Sequence, residues 1–373
     1  MIRLLVSVLL LWLVPGGVAI ADPPDWRDAA PGHDWVFPRD HHAMPGYRSE
    51  WWYLTGQVAA AGADAPTHGL QLTIFRLGLA PERPPWRSRW AARDLVLGHL
   101  AVTEFASGRH HFRELLTRAG PGRGGFPAPG DSVLAWVRGP AGTDAPWEIV
   151  RREDGFAVRA TDARAGLLLD LDLVPERAPV FHGPDGYSEK DGAAGSGSLY
   201  YSFTRLAARG RVAAGADTLQ VRGRCWFDRE VFTSQLAPRH VGWMWLGVQL
   251  ADGRDLMAFA LRDTSGAIDV THATLVDGDG AVRWFDPPRD FLQPRAWWTS
   301  EETGGRYPVS WRVDLPAADL HLDLAALAPA QENVGPRSGI VYWEGAVAGR
   351  TDAGVACRGY VELTGYGGGR LPF

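Results

Sequence analysis

Cysteine, methionine and positive charge are all scarce in this sequence. Its 373 residues include two cysteines and four methionines, and 38 Lys and Arg stand against 43 Asp and Glu, for a net charge of −5. A polyanion is recognised through clustered Lys and Arg, so the acidic balance argues against a nucleic-acid partner. The two cysteines, Cys225 and Cys357, are candidates for one disulfide in an oxidising compartment, and two separate buried thiols are the alternative.

Several motifs of enzyme sites are also missing. No G-x-S-x-G elbow occurs, which excludes the serine site of an α/β-hydrolase. Residues 120–125 match G-x-G-x-x-G, but no strand leads into them and prolines follow, so we reject a nucleotide site there. The adjacent pairs His41–His42 and His110–His111 would point to opposite faces of a strand, so neither pair can chelate a metal. We predict neither a metal nor a cofactor.

The N-terminus has the pattern of a secretory signal peptide. Arg3 precedes the apolar run LLVSVLLLWLV, and the A-x-A site at residues 19–21 predicts cleavage before Asp22. A retained membrane anchor is the alternative, but Pro15 and the two glycines after it interrupt the apolar run well short of a spanning helix. Residues 1–21 are therefore predicted to be a signal peptide. We expect the mature protein to be periplasmic or secreted, with no other membrane contact.

Beyond this segment the apolar residues recur with a period of two rather than 3.6. The clearest examples are GLQLTIFRLGLA (69–80), GLLLDLDLVP (166–175), GWMWLGVQL (242–250) and DLMAFALR (255–262). Turn signals separate these stretches, and no segment shows a sustained helical stripe with caps. Many short, evenly spaced strands are typical of barrels and sandwiches, so the sequence predicts an all-β protein.

The length favours two domains. The segment LAARGRVAAGADTL (206–219) has the composition of a crossing between two halves, which puts the boundary near residue 220. We therefore predict domains at 30–220 and 221–373. The polar, glycine-rich stretch HGPDGYSEKDGAAGSGS (182–198) is expected to cover the mouth of a pocket.

Seventeen tryptophans are the oddity of the composition, and several of them adjoin carboxylates. The three clusters of this kind are EWWY (50–53), CWFDRE (225–230) and YWEG (342–345). Each cluster alone can be a barrel strand with a charge at its rim, paired with an arginine such as Arg48 or Arg229. Together they suggest a large apolar cavity with a few polar groups, which is the usual composition of a ligand site.

Strand alternation predicts how these clusters are oriented. Trp226, Asp228 and Glu230 share one face of a strand. In the first cluster, core packing accounts for the face of Trp51 and Tyr53, and the opposite face is expected to look toward the cavity. The stretch GWMWLGVQL adds a wall made by alternate residues, namely Trp243, Trp245 and Gln249.

These stretches, in order, resemble a known family. They include FPRDHHAMPGYRSEWWYLTGQV, GLQLTIFR, RWAARDLVLGHLAV, GYSEKD, YYSFTRL, GRCWFDREVFTSQL, GWMWLGVQLADGRDLMAFALR, YWEGAV and GYVELTGY. Together they resemble the AttH-like family, to which the carotenoid 1,2-hydratases (hydroxyneurosporene synthases) belong. The resemblance runs from about Phe37 to Tyr366. It implies two lipocalin-like β-barrel domains packed side by side.

The resemblance also implies site residues. The hydratases carry an essential aspartate two positions after an aromatic, near the start of the second barrel, and Asp228 matches that placement. This chain has Trp226 and Phe227 where hydratases tend to have tyrosine and histidine, and Met244 where family members commonly have aspartate.

The predicted ligand-binding residues are Glu50, Trp52, Tyr187, Tyr201, Trp226, Glu230, Trp243, Trp245, Gln249, Trp343 and Glu344.

Two functions are compatible with these residues. In the first, an exported protein binds an apolar, isoprenoid or lipid-like molecule and hydrates or hydrolyses it by cofactor-free acid catalysis, with Asp228 as the acid. A carboxylic acid buried among aromatic rings has a raised pKa and can stay protonated for this purpose. In the second, the protein is a non-catalytic periplasmic carrier, or an accessory protein of an ABC transporter permease.

Overall fold

A computed structural model describes residues 25–82, 88, 90–139, 145–193 and 195–368 of the protein. The predicted signal peptide lies outside these residues. No helix among them is long and apolar enough to cross a membrane. The described helices are three 3-10 turns, at Arg39–His41, Pro184–Gly186 and Pro316–Ala318. The remaining regular structure is β, which confirms the all-β fold class.

The first sheet contains thirteen antiparallel strands and forms a nearly closed barrel. Its order is β4-β3-β2-β1-β13-β12-β9-β8-β7-β6-β5, and β10 and β11 pair with β12 beside this path. The strands are β1 (Ser49–Ala60), β2 (His68–Gly78), β3 (Asp94–Glu104), β4 (His110–Arg118), β5 (Gly124–Gly125), β6 (Val133–Val137), β7 (Trp147–Arg152), β8 (Gly155–Asp162), β9 (Leu167–Pro175), β10 (Val180–Phe181), β11 (Tyr187–Glu189), β12 (Gly197–Ala214) and β13 (Thr218–Phe232).

The second sheet contains ten antiparallel strands. Its order is β17-β16-β15-β14-β23-β22-β20-β19-β18, and β21 pairs with β22 beside this path. The strands are β14 (His240–Leu250), β15 (Asp255–Asp263), β16 (Ile268–Val276), β17 (Val282–Phe285), β18 (Leu292–Thr299), β19 (Arg306–Leu315), β20 (Leu320–Ala326), β21 (Glu332–Val334), β22 (Val341–Thr351) and β23 (Ala356–Thr364).

The change of sheet comes later in the chain than the sequence predicted. Residues 206–219 do not cross between domains, because most of them extend β12, which pairs with β9 and β13. The next strand, Thr218–Phe232, pairs along its length with β1 and stays in the first sheet. The boundary predicted after residue 220 therefore falls inside a strand. The chain passes to the second sheet between Phe232 and His240.

Each sheet buries its own core, and the alternation seen in the sequence explains why. In β9 the leucines at 167, 169, 171 and 173 are buried, while the aspartates between them face outward. The second sheet has an equivalent core around Trp311 and Trp343. A third cluster lies between the two sheets and is mostly aromatic, with Tyr200, Trp245 and Phe259 among its members. The two sheets are thus joined by a layer of rings.

Candidate active site

A cavity lies within this aromatic layer. We call it the inter-sheet cavity. The first sheet contributes side chains from β1, β2, β3, β12 and β13, and the second from β14, β15, β22 and β23. The aromatic walls include Trp51, Tyr53, Tyr200, Trp243, Trp245 and Phe259. Since both sheets build it, the cavity exists only when they are packed together.

Asp228 lies in the wall of the inter-sheet cavity, on β13, and is 3% exposed. Three neutral donors hold its carboxylate. Tyr200 Oη donates to Oδ2 at 2.8 Å, Trp226 Nε1 donates to Oδ1 at 2.5 Å, and Ser202 Oγ also donates to Oδ1. Burial raises the pKa of Asp228 to about 7 in spite of these donors, which favour the charged form. Near neutral pH the group can therefore hold a proton or release it.

Ser202 connects Asp228 to a buried histidine. His182 Nε2 lies 2.6 Å from Ser202 Oγ, and its Nδ1 lies 2.9 Å from Thr274 Oγ1 of the second sheet. Burial, with a contribution from Lys190, lowers the pKa of His182 to about 3, so the ring is neutral. A hydroxyl has one proton to donate. Ser202 can therefore donate to a charged Asp228, or accept from a protonated Asp228 and donate to His182.

A second pair of carboxyl groups faces the cavity from the second sheet. Glu344 on β22 and Glu362 on β23 are directly opposite each other in the register of these strands. Tyr53 Oη donates to Glu344, and Trp243 Nε1 donates to Glu362 at 3.1 Å. Burial and the neighbouring Glu362 raise the pKa of Glu344 well above its usual value, and burial raises that of Glu362 to about 8. The pair holds at least one proton near neutral pH.

The polar stretch at 182–198 does contribute to the cavity, through Lys190. Its Nζ lies 3.2 Å from Glu230 Oε1 and 4.0 Å from the ring centroid of Phe259. Burial lowers the pKa of Lys190, and the adjacent Glu230 opposes this shift. Glu230 also accepts hydrogen bonds from Ser198 and Gln235, both at 2.5 Å. An ion pair under an aromatic ring thus forms one polar edge of the cavity.

The structure brings the predicted acid Asp228 together with four of the eleven predicted ligand-binding residues. Asp228, Glu230, Trp243, Trp245 and Glu344 all line the inter-sheet cavity. The ring of Trp226 packs edge-on against Trp245, at 6.1 Å between centroids, and its indole N–H holds the Asp228 carboxylate. The face of β13 predicted for Trp226, Asp228 and Glu230 is the face that meets the second sheet.

The orientation predicted for the first cluster is wrong. Trp51 and Tyr53 line the cavity, whereas Glu50 and Trp52 lie on the opposite face of β1, toward the core of the first sheet. Glu50 is completely buried and forms ion pairs with Arg76 and Arg229. Trp52 stacks against the Arg229 guanidinium, 4.1 Å from the ring centroid. Both residues hold the first domain together and are not ligand-binding residues of this cavity.

Four more predicted ligand residues lie outside the inter-sheet cavity. Tyr201 points into the core of the first sheet. Side chains alternate along β12, so the neighbouring Tyr200 is the residue that faces the cavity. Trp343 is in the second core, and Tyr187 packs beside Leu199 at the edge of the first sheet. Gln249 lies on the same face of β14 as Trp243 and Trp245, as predicted, but farther along the strand. There its Nε2 donates to the backbone oxygens of Thr204 and Cys225 at 2.6 and 3.2 Å.

The predicted disulfide is absent. Cys225 and Cys357 are both buried and free. They lie on β13 and β23, in different sheets, rather than on neighbouring strands of one barrel. Burial raises the pKa of each thiol to about 12, so neither is a thiolate near neutral pH. Two separate thiols packed in apolar surroundings is therefore the correct alternative.

Several residues of the site were not predicted from the sequence. They are Tyr53, His182, Lys190, Tyr200, Ser202 and Glu362. A signal was present for some of them, since Glu362 belongs to the GYVEL stretch and Lys190 to GYSEKD. Nothing in the sequence distinguished Tyr200 from Tyr201, because a single residue in the register of β12 decides which one meets Asp228.

The fold and the site define a class of protein with two β-sheet domains and a buried acid between them. A family model described as AttH-like matches residues 28–366, and the chain belongs to this AttH-like family. The fold is lipocalin-like in both domains, as the resemblance implied. A comparison with curated proteins finds no match.

Solved structures show the same architecture. A candidate AttH protein from Nitrosomonas europaea is 31% identical, with a TM-score of 0.77 over 91% of this chain and 99% of that one. Kievitone hydratase from Nectria haematococca is 11% identical, with a TM-score of 0.64 over 92% and 97% of the two chains. CghA is 12% identical, with a TM-score of 0.55 over 94% and 98%. The last two similarities establish the fold alone.

Proposed function

We propose that the protein binds an apolar, unsaturated molecule in the inter-sheet cavity and that Asp228 protonates it. The observation that carries this proposal is Asp228 itself. It is a buried carboxyl group whose pKa is raised to about 7, inside an aromatic cavity. A general acid works best when its pKa lies near the working pH. Kievitone hydratase, which shares the fold, is named for a hydration, and the proposed reaction class is the same.

The reaction would be addition of water across a carbon–carbon double bond. The Asp228 proton forms a C–H bond at one carbon of the alkene, which leaves a carbocation at the other carbon. A water molecule adds to the cation and returns one proton to the Asp228 carboxylate, so the acid is regenerated. Tyr200 and Trp226 donate to this carboxylate and stabilise it at the stage when it is charged.

The walls suit such a cation. Ring faces attract a positive charge within about 6 Å, and the effect is larger when water is excluded. Trp51, Trp245 and Phe259 supply rings to the wall. The carboxyl groups of Glu344 and Glu362 add polar oxygens on the second sheet, and their raised pKa values favour the protonated forms near neutral pH. A cavity of this kind stabilises the charge that develops during the reaction more than it stabilises the neutral alkene.

The test uses the purified protein, an extract of membrane lipids and isoprenoids, and mass spectrometry of what co-purifies and what is converted. Wild type should retain an apolar molecule and add water to it, a mass gain of one water. Asp228→Asn should retain the molecule with turnover reduced by about 10²–10⁴-fold, the usual contribution of a general acid. Equal turnover by wild type and Asp228→Asn would refute the role of Asp228.

Non-catalytic binding is the second candidate, because the enclosed aromatic wall accounts for binding without any reaction. In that case the protein carries an apolar molecule in the periplasm, or outside the cell, and hands it to a partner such as an ABC transporter permease. Retention of the same molecule by wild type and Asp228→Asn, with conversion by neither, would favour this function. Detection of the mature protein in a periplasmic fraction, cleaved before Asp22, would test the predicted export.

A further inference from the structure

A second cavity opens at the other end of the interface between the sheets. It shares no lining residue with the inter-sheet cavity. Strands β1, β12, β13, β14 and β23 line it, with Trp226 at its inner end. Because the indole N–H of Trp226 holds Asp228, this side chain lies between the two cavities. We call the second cavity the arginine cleft.

Five arginines line this cleft, against two acidic residues, Asp64 and Glu176. Two of the arginines already have acidic partners. Arg224 pairs with Glu176 at 2.8 Å, and the buried Arg205 pairs with Asp255 at 2.8 Å. The other three are exposed, and among the described residues they have no hydrogen bond or ion pair; they are Arg209, Arg222 and Arg358.

Two of these arginines face each other across a strand pair. Arg209 on β12 and Arg222 on β13 are directly opposite each other in the sheet register. Like charges at such positions repel, and Asp172 of β9, which lies opposite Arg209 on its other side, offsets part of this repulsion. An anion between the two guanidinium groups would reverse this effect, and a phosphate oxygen pair matches the planar donor geometry of arginine. Arg358 approaches the same cleft from the second sheet.

The lining of the cleft also contains a buried acceptor without a hydrogen-bond partner among the described residues. Gln57 is 6% exposed, and its Nε2 donates to the backbone oxygens of Val347 and Gly359 at 2.8 and 2.9 Å. Its Oε1 is buried and has no hydrogen-bond partner within the described part of the chain. An unpaired buried acceptor is unfavourable, and a donor such as a hydroxyl group would satisfy it. Gln57 lines the arginine cleft, so a molecule bound there can supply that donor once a local shift of the lining side chains exposes Oε1.

We propose that the arginine cleft binds a phosphate ester that carries a free hydroxyl group. Arg209, Arg222 and Arg358 hold the phosphate, and the hydroxyl donates to Gln57 Oε1. This chemistry occurs in soluble phosphoglycerol compounds and in the headgroup of phosphatidylglycerol. The site is separate from the inter-sheet cavity, so it stands whether or not Asp228 is a catalytic acid.

The test is calorimetric titration of the purified protein with glycerol 1-phosphate at low ionic strength. Arg222→Ala should weaken binding about tenfold or more, which is the contribution of a hydrogen bond between charged groups. Arg152→Ala is the matched control, since Arg152 is exposed on β7 and lies outside the cleft. Equal weakening by both variants, or no saturable binding of glycerol 1-phosphate or vesicles, would overturn the proposal.

Two further arms identify the source of the phosphate ester and the role of the hydroxyl. Co-sedimentation with phosphatidylglycerol vesicles but not phosphatidylcholine vesicles, lost in Arg222→Ala, would assign the site to a lipid headgroup. Binding of glycerol 1-phosphate without binding to either vesicle would assign it to a soluble ester. Glycerol 1-phosphate should bind more tightly than inorganic phosphate. Equal affinities for these two probes would refute the contact with Gln57.

Discussion

Glu50 and Asp228 are both buried carboxyl groups on the paired strands β1 and β13, yet their properties are opposite. Burial disfavours the charge of Glu50, but its ion pairs with Arg76 and Arg229 outweigh burial, and its pKa is lowered. Among the described residues, Asp228 receives hydrogen bonds from three neutral groups and from no cation, and burial raises its pKa to about 7. One acid is therefore fixed as a carboxylate, and the other can exchange a proton.

The difference arises from the two faces of one strand. Arg229 follows Asp228 directly, so its side chain points to the opposite face, into the first domain, where it meets Glu50. Asp228 points toward the second sheet, away from that guanidinium. Burial alone does not decide whether an acid has a structural or a chemical role. The role of the acid depends on whether a cation lies on the same face of the strand, and side-chain alternation determines this.

The largest expected effect comes from removing the structural acid. Glu50→Gln leaves the buried Arg229 without its counter-charge and leaves Arg76 paired with Asp94 alone, and breaking a buried pair in this way costs about 3–5 kcal/mol. Glu104→Gln is the control, because Glu104 pairs with the exposed Arg109 and such surface pairs contribute about 0–1 kcal/mol. Urea unfolding followed by fluorescence measures both. Equal losses in the two variants would contradict the structural role of Glu50.

The charge of Glu50 stabilises the fold, whereas the charge of Asp228 should destabilise it. Its pKa is raised on folding, so its favourable contribution is present at low pH and is lost as the pH rises from about 4 through about 7. Asp228→Asn does not titrate. The unfolding free energy of the variant relative to wild type should therefore rise across this interval, by up to about 4 kcal/mol. A difference that stays constant from pH 4 to pH 8 would show that Asp228 has an ordinary pKa.

The pH profile of any turnover should report the same group. Activity should fall as the pH rises through about 7, because Asp228 then loses the proton that it donates. Ser202→Ala removes a donor to the carboxylate, so the midpoint should move upward by about one pH unit or more. Glu50→Gln should leave the midpoint in place, since Glu50 faces the other side. A downward shift in Ser202→Ala would argue against a protonated Asp228 as the active form.

The smallest effect is expected at the cysteines. Cys225 and Cys357 are free, so dithiothreitol should change the unfolding temperature by less than about 1 °C, well below the effect of a lost disulfide. Peptide mapping without reduction should find two unmodified thiols. A peptide in which Cys225 is joined to Cys357 would require the two sheets to pack differently from the arrangement described here.

Much of the fold and part of the site were predictable from the sequence. Alternation such as LLLDLDLVP in β9 was sufficient for an all-β protein, because a strand with one buried face must alternate. The spacing of Trp226, Asp228 and Glu230 predicted a shared face, and the structure places that face against the inter-sheet cavity. These inferences depend on residues close together in the chain, where periodicity is informative.

Other features depended on contacts that a linear pattern does not contain. The sequence could show that Glu50 and Trp51 face opposite ways, but the packing of two sheets decided that Trp51 meets the cavity. The same packing brought Arg358 toward Arg209 and Arg222, 149 and 136 positions earlier in the chain, in a protein whose net charge is −5.

The sequence by itself determined the strands, their two faces and the family. Local backbone geometry sets these, because side chains alternate along any extended segment. Only the tertiary structure decided the properties of the carboxyl groups. A pKa depends on burial and on the charges within a few ångströms, and for Asp228 these come from β12, β13 and the second sheet. Packing therefore turned two similar acids into an ion-paired support and a candidate proton donor.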